Sequence, residues 1–224
     1  MKIIATIHND FKEKFGIPKQ SGIVSLVHSK IIFEPEFRRP EAFRGLMDFS
    51  HIWLIWNFSR SEREAWSPTV RPPRLGGNTR LGVFATRSPF RPNPIGLSAV
   101  RLLGIEYSEK DGPVLTVCGA DLLDGTPIYD IKPYLPFTDS IPDAKGGFSE
   151  NIPLFPLAVD FPDELLELIE PDKRAPLIDI LSLDPRPAYH SDRRDYGLTF
   201  ASYNIKFFVL DNRLTVTEVL PLSE

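Results

Sequence analysis

Residues Leu97–Ile131, LSAVRLLGIEYSEKDGPVLTVCGADLLDGTPIYDI, contain three short runs rich in β-branched and aliphatic residues. The runs Leu97–Ile105, Val114–Ala120 and Thr126–Ile131 are bounded by Gly, Pro or Asp, which is typical of strands joined by turns. Many short strands at this spacing predict a mainly β fold whose sheet closes into a barrel. Five similar runs stand earlier in the chain: Ile3–Ile7, Gly22–Ser25, Lys30–Phe33, Ile52–Phe58 and Leu81–Ala85.

The proline content limits the fold classes that are open to this chain. Its 224 residues include 22 prolines and 14 glycines. Proline lacks a backbone donor and breaks helix interiors, so this content excludes a helical bundle. A hydrophobic share of 42% and a charged share of 25% exclude wholesale disorder.

A helical period appears only in the last third of the chain. Apolar residues recur at helical spacing in Leu165–Ile169 and again in Leu177–Leu181. Two alternating runs follow, Thr199–Leu210 and Leu214–Leu220, separated by Asp-Asn-Arg, and they predict a β-hairpin.

This change of pattern predicts two domains. We assign residues 1–146 to a large β-barrel domain and residues 147–224 to a small α+β domain of helices followed by a hairpin. The stretch PDAKGGFSEN, residues 142–151, is expected to link them.

Charge is distributed unevenly along the chain. The net charge of −4 argues, on its own, against a nucleic-acid partner. However, no Asp or Glu lies between Glu64 and Glu106, and subtracting the +6 of this stretch leaves −10 on the rest. The six cations of this stretch are all arginines. They either bind carboxylates, phosphates or stacked bases of a ligand, or form ion pairs with acids elsewhere on the surface. They are Arg71, Arg74, Arg80, Arg87, Arg91 and Arg101.

The segment Gly82–Ser98, GVFATRSPFRPNPIGLS, concentrates polar groups on a stiff loop. Its three prolines restrict the backbone, so that little entropy is lost when the loop is ordered. The loop carries Arg87, Ser88, Arg91 and Asn93, and rigid loops on a strand scaffold commonly hold binding groups. The alternative is a tight hairpin whose arginines cap its own carbonyls.

A second polar segment follows the strand run Val114–Ala120. The turn that begins at Asp124, Asp-Gly-Thr-Pro, offers a carboxylate that can accept two neighbouring hydroxyls, as in ribose recognition. Asp130 and Lys132 are two residues apart on a strand and share a face. They form either a proton-transfer pair or an ordinary ion pair.

Two further sites have an open interpretation. His51 begins the apolar run HIWLIWNF and is either an edge histidine or a ring that stacks on a ligand base. Lys19 and Gln20 follow Pro18 on a turn, and the Gln amide has the donor and acceptor needed to read an adenine edge.

Several common functional motifs are missing from the sequence. It has no G-x-G-x-x-G, no G-x-x-x-x-G-K-[ST] and no G-x-S-x-G, so dinucleotide folds, P-loops and serine-hydrolase elbows are not supported. Its four histidines are scattered and it has one cysteine, which argues against a zinc site. No apolar run is long enough to cross a bilayer, and the first residues are not typical of a signal peptide, so a cytoplasmic protein is expected.

Long motifs of the sequence closely resemble the TrmO (TsaA-like or YaeB-like) family. They include FRGLMDFSHIWLIWNF, PTVRPPRLGGNTRLGVFATRSPFRPNPIGLS and DLLDGTPIYDIKPYLPF, and the resemblance covers nearly all of Ile7–Ala144. It implies an S-adenosylmethionine-dependent methyltransferase that acts on N6 of threonylcarbamoyladenosine at position 37, in the tRNA anticodon loop. It also implies a single-sheeted β-barrel, a small C-terminal domain, a homodimer and no metal.

The resemblance also implies a set of site residues. Arg91, Asn93, Asp130 and Lys132 match positions near the reacting end, with Asp130, aided by Lys132, as the expected proton acceptor. Phe90 or Tyr134 is expected to stack on a base. The methyl donor is expected at Pro18, Lys19, Gln20, His51, Arg87, Leu97, Asp124, Gly125, Thr126 and Pro127.

Two other classes of protein remain open at this stage. One is a non-catalytic barrel that senses S-adenosylmethionine or a nucleotide, because binding alone needs most of the same residues. The other is an RNA-binding module without any methyl donor. A methyl-transfer assay distinguishes the enzyme from the sensor, because only the enzyme forms product. Measurement of S-adenosylmethionine affinity distinguishes both from the RNA-binding module, which would have none.

Overall fold

The computed structural model describes residues 1–61, 65–75, 78–150, 156–186 and 193–222. The strands are β1 (Ala5–His8), β2 (His28–Phe33), β3 (His51–Asn57), β4 (Thr69–Val70), β5 (Leu81–Gly82), β6 (Ile95–Ser108), β7 (Gly112–Cys118), β8 (Thr126–Pro133), β9 (Ala158–Asp160), β10 (Asp195–Phe200), β11 (Tyr203–Leu210) and β12 (Arg213–Pro221). The α-helices are α1 (Pro136–Asp139), α2 (Asp163–Leu166) and α3 (Pro171–Ser182). Among the described residues, no helix is long and apolar enough to cross a membrane.

Antiparallel strands form a closed barrel in the order β1-β2-β7-β6-β3-β8. Closure depends on β1, because it pairs with β2 on one side and with β8 on the other. Ala5 of β1 therefore lies opposite both Phe33 and Ile128. A closed sheet has no unpaired edge, and its formation confirms the mainly β barrel expected from the sequence.

Side chains along each strand alternate between the inner and outer faces, and the inner ones fill the barrel. In β3, Ile52, Leu54 and Trp56 are buried inside, whereas Trp53 and Ile55 lie on the outer face. The interior side chains come from all six barrel strands and pack as one apolar cluster. Residues 52–56 of β3 have a partner on both sides, since β3 pairs with β6 and with β8.

The C-terminal residues form a second apolar core. Strands β10, β11, β12 and β9 make a four-stranded sheet, in which β12 and β9 are parallel. Helix α3 buries Leu177, Ile180 and Leu181 in the same cluster as Phe200 and Phe207 of the sheet. In this part of the chain, helices α2 and α3 precede the antiparallel pairs β10–β11 and β11–β12.

Three predicted runs differ from the structure. Gly22–Ser25 is a turn, because Val24 is buried in the C-terminal core rather than paired in the barrel. Leu81–Ala85 is a strand only at Leu81–Gly82, and its remainder is a 3-10 turn. Thr199–Leu210 is divided between β10 and β11 by a turn in which Ala201 adopts a φ of 52°.

The loop between β1 and β2, residues 9–27, packs against the C-terminal core and is called the β1–β2 loop below. Its residues Phe11, Val24 and Val27 are buried in the C-terminal cluster. Phe15 stacks on Tyr196 and Phe207, with ring centroids 6.3 and 6.4 Å away. The C-terminal core is therefore completed by residues from the N-terminal half of the chain.

Polar contacts fix the same loop to the C-terminal sheet and helix. The backbone N–H of Thr199 donates to Glu13 Oε1 at 2.8 Å, and that of Ala201 donates to the Asp10 carbonyl at 3.0 Å. Lys173 Nζ of α3 lies 2.6 Å from Asp10 Oδ2. Burial acts to lower the pKa of Lys173, but the Asp10 hydrogen bond and charge raise it overall, which keeps the ammonium charged.

We predict that Gly16→Ala destabilises the protein by more than Gly22→Ala. Both glycines have a positive φ, 87° and 78°, so both variants share the backbone cost of that conformation. A Cβ on Gly16 would lie 2.1 Å from Leu198 Cδ1, in the buried core, whereas nothing lies within 4 Å of one on Gly22. Urea unfolding should give a further loss of about 1–3 kcal/mol for Gly16→Ala; equal losses would contradict the tight packing of the loop.

Candidate functional site

A cavity of about 1350 Å³ opens at one rim of the barrel. The β1–β2 loop contributes Lys14 and residues 17–20 to its wall. The ends of β3 and β6 and the segment between them contribute most of the remainder, and Asp121, Leu123 and Thr126 lie on a third side. This volume exceeds the roughly 300–1,000 Å³ typical of small-ligand pockets, so it has room for a cofactor together with part of a second substrate.

The proline-rich loop between β5 and β6 is held by its own backbone and side chains. Thr86 Oγ1 donates to the Val83 carbonyl at 2.9 Å, and the Arg91 N–H donates to the Pro89 carbonyl at 2.9 Å. Arg91 Nη1 donates to the Thr86 carbonyl at 3.0 Å. For Arg91 the structure thus contains the carbonyl-capping contact that the sequence left as an alternative.

Arg87 has a different role in the same loop. Its Nη1 donates a hydrogen bond to Oε1 of Gln20 in the β1–β2 loop, and both residues lie on the cavity wall. This contact joins two segments that are 67 residues apart in the sequence. The guanidinium is thereby oriented, and Gln20 is held at the cavity wall; its expected contact with the donor stays a prediction.

A hydrogen-bonded chain reaches the cavity from inside the barrel. Trp56 Nε1 donates to Ser98 Oγ at 3.0 Å, and the Ser98 hydroxyl donates to Asp121 Oδ1 at 2.5 Å. Burial raises the pKa of Asp121, and this effect outweighs the opposing hydrogen bond from Ser98 and the charge of Arg87.

The Asp124 carboxylate holds the barrel rim together. It accepts hydrogen bonds from Lys12 Nζ at 2.9 Å and from the Asn9 N–H at 3.0 Å, and His8 Nδ1 lies 3.3 Å away. Burial acts to raise the pKa of Asp124, but these hydrogen bonds and charges lower it overall. The next residue, Gly125, has a φ of 75°, and its N–H donates to the Ile7 carbonyl of β1. The carboxylate expected to bind hydroxyls therefore already has protein partners.

Asp130 and Lys132 lie on the outer face of the barrel, outside the cavity. Their side chains form an ion pair at 3.1 Å and are 47% and 62% exposed. Asp130 is opposite Ile55 and Lys132 is opposite Trp53 in the register of β3 and β8. The shared face predicted from their spacing is confirmed, and the two side chains form an ion pair; their expected role in proton transfer stays a prediction.

His51 lies on the same outer face. Its Nδ1 is 2.9 Å from Ser50 Oγ, and its ring centroid is 6.3 Å from that of Tyr134. The side chain of His51 is exposed at the start of β3 and does not line the cavity.

The structure divides the expected site residues into two groups. Around the cavity it brings together Pro18, Lys19, Gln20, Arg87, Arg91, Asn93, Leu97 and Thr126, with Phe90 beside them. The cavity wall does not include His51, Asp124, Gly125, Pro127, Asp130, Lys132 or Tyr134. Their expected roles stay predictions.

Sequence reasoning assigned no role to two features of the cavity. One is Asp121, whose only signal was a carboxyl directly after the buried run of β7. The other is Phe84 of the cavity wall, which stacks on the neighbouring Trp66; the two side chains are 72% and 51% exposed, and their ring centroids are 6.1 Å apart. No regular spacing links the members of this pair, so only the fold reveals them.

Neither a metal cluster nor a reactive thiol is found in the part of the chain described. No group of three His, Cys, Asp or Glu side chains there could hold a metal ion. Cys118 is buried, and burial raises the pKa of its thiol, which suits a packing role.

The fold and the site define a β-barrel protein with a basic, partly aromatic cavity at one rim, unlike any Rossmann-type nucleotide-binding fold. Two family models match the chain: the tRNA-methyltransferase O N-terminal domain over residues 6–140 and the TrmO C-terminal domain over residues 156–222. The chain therefore belongs to the TrmO family.

Individual relatives agree with this assignment. The tRNA (adenine(37)-N6)-methyltransferase of Escherichia coli K12 is 40% identical over 97% of this chain and 96% of its own. The putative S-adenosylmethionine-dependent methyltransferase RcsF of Pseudomonas aeruginosa PAO1 is 40% identical over 87% of this chain and 86% of its own. A crystal structure of TrmO from P. aeruginosa superposes with a TM-score of 0.78 at 33% identity and covers 98% of this chain and 95% of its own.

We predict that the stabilising effect of Asp124 disappears in acid. Its pKa is lowered in the folded protein, so its contribution is complete above the unfolded value of about 4 and is lost as the pH falls through the folded value. In the absence of ligand, Asp124→Asn should lower the melting temperature at pH 7, and its difference from wild type should shrink below about pH 4.

Asp143→Asn, at an exposed site, is the matched control and should melt like wild type throughout. A difference for Asp124→Asn that is the same at pH 7 and pH 3 would contradict a charge-dependent role.

Proposed function

We propose that this protein is an S-adenosylmethionine-dependent methyltransferase that modifies N6 of the adenine at position 37 of tRNA, with threonylcarbamoyladenosine as the target nucleoside. The observation that carries the proposal is the end-to-end match to a tRNA (adenine(37)-N6)-methyltransferase, and it is supported by a cavity lined by six of the ten residues expected to hold the donor. The non-catalytic sensor is not favoured, because relatives that cover nearly the whole chain are methyltransferases by name.

The residues of the cavity fit the methyl donor. Trp56, Phe58 and Phe90 offer apolar surface to an adenosine, and the Gln20 amide offers a donor and an acceptor. The Arg87 guanidinium suits a carboxylate. When bound, S-adenosylmethionine supplies an activated methyl group on a positively charged sulfur.

The protein contributes chiefly placement. The acceptor nitrogen must lie in line behind the methyl carbon, and orientation of two reactants in one site can lower a barrier by roughly 7–11 kcal/mol. The rigid loop from Thr86 to Asn93 and the β1–β2 loop both contribute to the cavity wall, where they can hold the reactants.

The charges and aromatic rings around the cavity suit the anticodon loop of tRNA. Arg60, Arg71 and Arg80 lie on the cavity wall and can contact phosphates. Arg91 either adds to them or binds the threonyl carboxylate. The exposed pair of Trp66 and Phe84 offers a stacking surface for an unpaired base.

The proton on N6 needs an acceptor, and we retain Asp130, aided by Lys132, as the proposed one. Its carboxylate is paired with Lys132 at 3.1 Å on the outer face of the barrel. Direct contact with the substrate then requires that the substrate, or a second subunit, extends across this face.

The function is tested by incubating the purified protein with S-adenosylmethionine and tRNA that carries threonylcarbamoyladenosine, followed by mass spectrometry of the nucleosides. We expect one methyl group to be added to the modified nucleoside and none to tRNA without the threonylcarbamoyl group. Donor binding without product would support the sensor instead.

Asp130→Asn is tested in the same assay. We expect a 10²–10⁴-fold lower rate at unchanged donor affinity, the usual contribution of a general base. Full activity would remove Asp130 from the proton-accepting role.

We further propose a homodimer that acts in the cytoplasm, where tRNA is located. Support for the dimer comes from exposed apolar side chains on and beside the outer face of β6 and β3: Leu97 is 58%, Phe137 86% and Ile141 65% exposed. Helix α1 is fixed against this face, because Trp53 Nε1 donates to Asp139 Oδ2 at 2.8 Å.

We predict that light scattering gives twice the chain mass of 25.4 kDa. Phe137→Asp combined with Ile141→Asp should shift the protein to monomer, because charges in an apolar interface are costly. Leu210→Asp, at an exposed site on the C-terminal sheet, is the control and should leave the dimer intact. A wild-type monomer would refute the proposal.

A further inference from the structure

The cavity wall contains a single carboxylate among many cations. Seven of its described residues carry a positive charge: Lys14, Lys19, Arg60, Arg71, Arg80, Arg87 and Arg91. Among the same described residues, Asp121 is the only acid. An RNA backbone is repelled by a carboxylate, so this acid calls for a ligand group of the opposite charge.

Asp121 is held in place from inside the barrel. Ser98, which donates to it, is buried on β6 and is itself the acceptor of the Trp56 indole N–H. The Trp56 ring lies directly against Gly96, where an added Cβ would meet Trp56 Cε2 at 2.2 Å. Because glycine allows this close approach, the indole, the hydroxyl and the carboxylate form an ordered chain that needs no rearrangement to bind a ligand.

The surroundings of Asp121 favour a cationic ligand. The carboxyl is partly buried, and burial raises its pKa above the ordinary value. A carboxylate in such a place gains more from a charged hydrogen-bond donor than one that is fully solvated.

The other carboxylates near the expected site already have cationic partners. Asp124 binds Lys12 at 2.9 Å, and Asp130 binds Lys132 at 3.1 Å outside the cavity. Asp121 is hydrogen-bonded to the neutral Ser98 hydroxyl and to backbone N–H groups, including that of Ser21, and it experiences the charge of Arg87.

Asp121 and Arg87 together match an α-amino acid zwitterion. A guanidinium suits the α-carboxylate, and a nearby carboxylate suits the α-ammonium. The threonylcarbamoyl group has a carboxylate, but its nitrogen is acylated and carries no charge. Of the two proposed substrates, only S-adenosylmethionine contains an ammonium group.

We propose that Asp121 binds the α-ammonium of S-adenosylmethionine, with Arg87 on the α-carboxylate, and that the pair determines specificity for the amino-acid end of the donor. This inference rests on the proposed function and assigns to it a residue outside the expected donor set. Ser98 and Trp56 are positioning residues for the carboxylate.

Isothermal titration with two probes tests this assignment. S-adenosylhomocysteine has the ammonium without the sulfonium charge, and methylthioadenosine lacks the whole amino-acid end. Asp121→Asn should weaken binding of S-adenosylhomocysteine roughly tenfold to a hundredfold, as expected for loss of a charged hydrogen bond, and should bind methylthioadenosine like wild type. Glu106→Gln, which removes an exposed partner of Lys30, is the control and should bind both probes like wild type.

A second measurement does not depend on the folding of a variant. The wild-type protein should bind the des-amino analogue of S-adenosylhomocysteine at least tenfold more weakly than S-adenosylhomocysteine itself. Equal affinities would overturn the assignment.

Other binding results would each contradict a different part of the proposal. Equal weakening of both probes by Asp121→Asn would assign Asp121 to the nucleoside end or to the scaffold and overturn the proposal. Weakening of S-adenosylmethionine without weakening of S-adenosylhomocysteine would assign it to the sulfonium. A wild-type protein that binds neither probe would refute the proposed donor and this inference with it, whereas methyl transfer with unaltered Asp121→Asn binding would refute the inference alone.

Discussion

Pairing of β1 with β8 is the constraint on which the site depends, because it closes the barrel and brings distant segments to one rim. Ile7 lies opposite Thr126, so the turn before β8 meets the end of β1. Asp124 then binds Lys12 and the Asn9 backbone, and the Asn9 amide donates to the Leu122 carbonyl. The chain leaves this junction as the β1–β2 loop, whose course past the cavity is therefore determined by barrel closure.

The C-terminal core completes this arrangement. The loop that carries Gln20 to the cavity is inserted, through Phe11 and Phe15, into the apolar cluster of the C-terminal sheet. Because of this insertion, the stability of the C-terminal sheet and the position of Gln20 are coupled. The sheet itself contributes no residue to the described cavity wall. A structural role for the C-terminal residues thus follows from packing alone, apart from any contact with RNA.

The sequence was informative where local pattern and tertiary structure agree. The regular spacing of strand-like runs predicted the barrel, and the rigid loop from Thr86 to Asn93 lies on the cavity wall. Local pattern was insufficient for Gly22–Ser25, since Val24 is buried in a core formed mainly by residues more than 100 positions away. It was also insufficient for Asp121, because the significance of that carboxyl comes from Ser98 and Arg87, which only the folded chain places beside it.

We propose that the methyl donor binds in the cavity between the β1–β2 loop and the proline-rich loop. A crystal structure of the complex with S-adenosylhomocysteine would show whether it does. We expect electron density for S-adenosylhomocysteine within the cavity. Its amino-acid end should lie beside Asp121 and Arg87, and its thioether sulfur should point toward the remaining space. A ligand bound instead on the outer face of the barrel, at His51 and Asp130 with the cavity empty, would contradict it.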